Sequence, residues 1–148
     1  MRALTLSEHI SRSPGDVFAF IMDFSRASRW RSLVRRIELA TPGPVTVGSE
    51  LLITFDAMGR VRQQTSRIWA YDPPRRLGLT NTASRITGIF EYTLTPDAQG
   101  TRVSFTTDIR PRGLVWLAMP WVLRGHRARY KEHLARLKQE IEGPKPDR

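Results

Sequence analysis

The sequence contains no cysteine. That excludes a disulfide scaffold, a thiol nucleophile and every cysteine-ligated zinc or iron-sulfur site. Histidine is nearly as scarce. A histidine-only metal site would need all of His9, His126 and His133 at once, so neither a metal nor another cofactor is expected. Lysine occurs only at 131, 138 and 145, which leaves arginine to supply most of the 24 basic residues. The apolar run from Leu114 to Leu123 falls well short of the ~20 residues that span a bilayer. Glu8 interrupts the stretch where an export signal would keep its apolar core, so a reducing cytoplasm is the expected setting.

The remaining composition is globular: 148 residues, 40% hydrophobic and 26% charged, with ten Gly and ten Pro spread along the chain. A chain of this length forms one ordinary domain that buries roughly 70% of its unfolded surface. That domain is expected to run over 1–142, with 143–148 as a flexible tail. The formal charge of +10 raises nucleic acid or an anionic membrane as a partner. A GC-rich coding sequence would produce the same arginine excess without any binding role. Arg26, Arg29, Arg31, Arg35 and Arg36 cluster without an acid among them. No RNP pattern, zinc finger, GXXG loop or basic heptad array accompanies them, which disfavours nucleic acid.

Residues 2–11 alternate Leu4, Leu6, Glu8 and Ile10 against Thr5, Ser7 and His9, the period of a strand with one buried face. At SPGDVFAFIMDF, Ser13 is a helix N-cap, Pro14 suits the first helical position and Asp16 favours the positive helix end. Val17, Phe20, Ile21 and Phe24 then make one apolar stripe. A second short helix is expected over 25–30. From 33 to 110 the period becomes two, broken by turn signals, which predicts strands at 33–40, 49–57, 60–71, 76–81, 86–95 and 101–110. Leu51, Ile53 and Phe55 share one face, as do Phe90, Tyr92 and Leu94, and Val103, Phe105, Thr107 and Ile109. The covering element is a long amphipathic helix from Leu114 to Ile141, with Pro120 predicting a kink or restart.

This is an α+β arrangement with the element order of a helix-grip fold: a curved seven-stranded antiparallel sheet around a long C-terminal helix, with two short helices after the first strand. The residues themselves resemble a known family. Ile10 with Ser13-Pro14 and Asp16-Val17-Phe18, Asp23 and Trp30, Val47-Gly48, the run Tyr71 to Leu77, Gly100 to Val103, and Leu134 with Leu137-Lys138 resemble the START-like, Bet v 1-like (SRPBCC) superfamily. Within it they resemble the polyketide cyclase/dehydrase and lipid transport family. The resemblance implies a cavity between sheet and terminal helix that binds a lipid, polyketide or other apolar or amphipathic small molecule. It carries over no catalytic residue, so a binding protein and a cyclase/dehydratase-type enzyme both stay open.

Phe55, Phe90, Tyr92, Phe105, Trp116, Met119, Leu123 and Tyr130 are the residues expected to surround such a cavity, unless their side chains fill it. Four polar handles are candidates beside them. Glu8 shares the face of Leu6 and Ile10, where burial with Arg67 or Arg85 as partner would make it a proton donor or ligand anchor; the competing reading is a strand end open to water. His126 occupies the apolar stripe of the last helix as a general base, a ligand contact or simply a packed residue. Tyr92 and Thr107 are the other two. The segment 112–129 is apolar on opposite faces and flanked by arginines. That composition suits contact with an anionic membrane, a homodimer interface, or packing beneath the loops at the cavity mouth.

Overall fold

A computed structural model of the chain describes residues 2–82, 86–111 and 113–143; within these, the side chains at 2, 3, 82, 86, 115, 119, 122, 123 and 126 fall outside the description. The elements run β1 (Arg2–Ile10), α1 (Pro14–Met22), a 3-10 turn (Phe24–Arg26), α2 (Ala27–Trp30), β2 (Val34–Leu39), β3 (Glu50–Ala57), β4 (Arg60–Asp72), β5 (Arg76–Thr82), β6 (Ile86–Asp97) and β7 (Gly100–Pro111). A second 3-10 turn (Gly113–Ala118) leads into α3 (Met119–Glu142). Among the described residues the strands form one antiparallel sheet in the order β1-β7-β6-β5-β4-β3-β2. Only the β1–β7 pairing is non-sequential, so the chain's first strand lies beside its last.

Local chemistry marks the starts of α1 and α3. Ser13 Oγ accepts from the Asp16 N–H at 3.2 Å, and Pro14 occupies the first turn of α1, where no backbone donor is needed. Val17 and Ile21 of the expected stripe are buried. Phe20 and Phe24 pack only partly, and Phe18, outside the stripe, is buried against the Tyr71 ring at 5.9 Å. Pro120 likewise sits in the first turn of α3. The long terminal helix therefore restarts at Met119 and does not run through from Leu114.

The sheet is bent by two irregularities, one between Val34 and Arg36 in β2 and one between Ile68 and Ala70 in β4. Its concave face carries Ile10, Leu51, Ile68, Leu77, Leu79, Leu94 and Val103, which bury against α1, α2 and the C-terminal half of α3 through Val17, Trp30, Leu134 and Leu137. The core is thus packed at one end of the sheet. The bend holds the other end away from α3.

Candidate ligand-binding site

Between the concave face of β3–β7, the segment from Arg31 to Val34 that follows α2, and the middle of α3 lies a cavity of about 450 Å³, within the roughly 300–1,000 Å³ typical of small-molecule sites. Five of the residues singled out from the sequence meet on its wall: Phe55 from β3, Phe90 and Tyr92 from β6, Phe105 from β7 and Tyr130 from α3. Phe105 is the hub of these rings, 4.7 Å from Tyr92, 4.7 Å from Tyr130 and 6.1 Å from Phe90, with which it stacks at 15°. Gly88, also on the wall, lets the Phe90 ring lie over it; a Cβ there would come within 2.7 Å of that ring. Leu33 and Met58, 47% and 98% exposed, mark the mouth.

The polar part of the wall joins the expected Tyr92 to His133 and Arg31, which the sequence pattern does not single out. His133 projects from α3 at the spacing of Tyr130 and Leu137, and its Nε2 is 2.8 Å from the Tyr92 hydroxyl. Arg31, the residue after α2, lies with its guanidinium 4.5 Å over the Trp30 ring and 5.9 Å from the Tyr92 ring centroid. All three are buried. Burial, reinforced by the Arg31 charge, holds the His133 imidazole well below its ordinary range. Burial raises the Tyr92 phenol, against a smaller opposing pull from Arg31, and burial with Tyr92 as neighbour raises Tyr130. At neutral pH the pair is therefore a neutral imidazole bonded to a neutral phenol beside a fixed cation. Gln64 and Ser66 of β4 and Asn81 of β5 add an uncharged polar stripe, with the Ser66 hydroxyl donating to Asn81 Oδ1.

The other expected residues are placed elsewhere. Glu8 keeps its inward register, but β1 is a sheet edge, so its half-buried carboxylate meets Lys138 Nζ at 3.7 Å in a groove along the last turns of α3. Arg67, its expected partner, instead binds Glu50 at 2.9 Å. Arg85 lies outside the described residues. Thr107 is buried without reaching the cavity wall, and Trp116 is 60% exposed on the turn before α3. The side chains of Met119, Leu123 and His126 lie outside the described residues. No group of acidic and histidine side chains suited to a metal ion occurs among the described residues. No helix there is long and apolar enough to cross a membrane.

The family profile described as polyketide cyclase / dehydrase and lipid transport matches residues 1–142. No curated protein matches at a significant level. Similar solved structures include the Zhui aromatase/cyclase of a Streptomyces species, at 18% identity and TM-score 0.78, covering 95% of this chain and 93% of that one. A Thermus thermophilus protein is similar at 14% identity and TM-score 0.77, covering 95% and 97%. A START superfamily protein of Mycobacterium smegmatis follows at 14% identity and TM-score 0.74, covering 95% and 97%. At these identities the structural likeness is one of fold.

Proposed function

Because the chain belongs to the polyketide cyclase / dehydrase and lipid transport family of the START-like superfamily, we propose that it binds and carries a hydrophobic or amphipathic small molecule, of lipid or polyketide type, between the sheet and α3. One observation carries the reading: a cavity of about 450 Å³ walled by five phenylalanine and tyrosine rings and leucine and isoleucine side chains, with Arg31 and His133 grouped around Tyr92. Burying apolar guest surface there supplies about 25 cal/mol per Å², less the cost of immobilising the guest, while the polar group orients it. Mass spectrometry of organic extracts from purified protein, set beside a blank, tests this. A compound retained by the wild type, and retained less by Gly88→Ala because the added methyl drives the Phe90 ring into the cavity, is the expected result. Extracts indistinguishable from the blank, together with no uptake of added apolar dyes, would remove the reading.

A second reading, cyclase or dehydratase chemistry on the same guest, is favoured by the 2.8 Å Tyr92–His133 contact on the cavity wall. Two neutral groups able to give and take a proton, beside a cation that stabilises an enolate, suit acid–base catalysis. Conversion of a bound polyketide that is lost in Tyr92→Phe and His133→Gln while binding persists would favour it over simple carriage.

The exposed Leu114, Trp116, Leu117 and Trp121, beside exposed Arg124 and Arg127, have the chemistry of a contact with anionic lipid. A second copy of the chain is the competing occupant of that surface.

A further inference from the structure

Arg31 brings into the cavity a charge that no described side chain neutralises. Its backbone N–H donates to Ala27 O at 2.9 Å, closing α2 and turning the side chain inward, where the residue is only 8% exposed. The guanidinium has no carboxylate partner among the described residues, and its Nε is buried without a hydrogen bond. Stacking over Trp30 offsets part of the desolvation, but stacking leaves the donors of the fork, which lie in the plane, unused. A buried charge without a hydrogen-bonded partner is costly.

The rest of the wall does not answer that charge. Asp56 is the carboxylate there, and Arg35 Nε already holds its two oxygens at 2.9 and 3.0 Å. Arg129 adds a second cation. Tyr92 and His133 are bonded to each other and neutral. The site is therefore cationic and equipped with a planar set of donors, beside rings that take an apolar body.

We infer that Arg31 anchors an anionic head group, so that the guest is an amphipathic acid: an apolar body against Phe55, Phe90, Phe105 and Tyr130, with a carboxylate hydrogen-bonded to the guanidinium. This rests on the cavity reading and narrows it from apolar molecules at large to carboxylic acids with an apolar body.

Pyrenebutyric acid and pyrenebutanol share a fluorescent apolar body and differ in the head group. Both are titrated into the full-length protein in about 0.5 M sodium chloride, where screening suppresses the general pull of a +10 surface on any acid. The acid is expected to bind about tenfold or more tightly than the alcohol. Arg31→Gln should abolish that preference while leaving the alcohol within about twofold, and Arg67→Gln, which removes the same charge outside the cavity, should preserve it. Should Arg31→Gln not fold, the wild type still decides: the acid must raise its melting temperature more than the alcohol does at equal concentration. Equal binding and equal melting shifts in the wild type, or a preference that survives in folded Arg31→Gln, overturn the anchor and leave the cavity reading standing. Binding of neither compound overturns both.

Discussion

The imidazole of His133 is enclosed by the rings of Trp30, Tyr92, Phe105 and Tyr130, at centroid separations from 4.6 to 6.3 Å. In the unfolded chain an imidazole takes up a proton near pH 6.5, whereas burial and Arg31 keep the folded one neutral well below that. The unfolded state therefore binds more protons below about pH 6.5, and stability, full above it, falls as the pH drops by up to about 1.4 kcal/mol per pH unit. Urea midpoints measured near pH 7.5 and 5.5 check this. His133→Gln, which still reaches the Tyr92 hydroxyl but does not titrate, should flatten that part of the slope; an unchanged slope would mean that the imidazole is not enclosed. The residue was legible in principle, since 130, 133 and 137 share a helical face. The sequence pattern points instead to His126, seven positions earlier on the same stripe, because spacing alone does not say which turn of α3 meets the sheet. Arg31 was hidden differently: among Arg26, Arg29, Arg35 and Arg36 it reads as one more solvated arginine, and only the closure of α2 sends it inward.

Pro120 decides how the final element is built. By occupying the first turn of α3 it ends the preceding 3-10 turn and lets that segment stand apart from the helix. The large apolar side chains described on either side of that junction do not pack: Leu114, Trp116 and Leu117 of the turn and Trp121 of α3 are 79%, 60%, 59% and 74% exposed. Placing a side chain such as Leu or Trp in an apolar environment contributes about 1.5–3 kcal/mol. Leu117→Ala with Trp121→Ala should therefore lower co-sedimentation with phosphatidylglycerol vesicles by about tenfold or more, and added salt should weaken what remains through Arg124 and Arg127. Partitioning that ignores both changes, or a dimer that the double substitution dissolves, would transfer the surface to another partner. The strands tell the opposite story. β3, β6 and β7 declared their inward faces by alternation, whereas β4 sends Gln64, Ser66 and Ile68 inward ahead of its bulge, a mixed face that alternation could not recognise.

Charge and occupancy belong to the molecule as a whole. The basic excess is partly matched by acids, as in Arg26–Asp23, Arg35–Asp56, Arg36–Glu38 and Arg76–Glu91, so three of the five arginines in the stretch after α1 meet carboxylates from outside it. Such exposed pairs contribute little to stability, at a median of about 0–1 kcal/mol. A guest does more: at a hundred times its Kd it stabilises the folded state by about 2.7 kcal/mol, roughly 5–10 °C in melting temperature for a chain of this size. Melting curves with rising concentrations of the extracted compound should show that shift, and a midpoint independent of concentration would place the compound outside the folded cavity. The order of the elements, the Ser13 and Pro14 start of α1 and the apolar faces of β3, β6 and β7 were determined by the sequence itself, because period and capping act over a few residues. The tertiary structure alone decided that Glu8 meets Lys138 at a sheet edge, that Arg31 and His133 face Tyr92, and that the rings leave room between them. Periodicity fixes which side of an element is apolar, but where the helix lands along a bent sheet depends on every contact at once, and a void is what those contacts together leave unfilled.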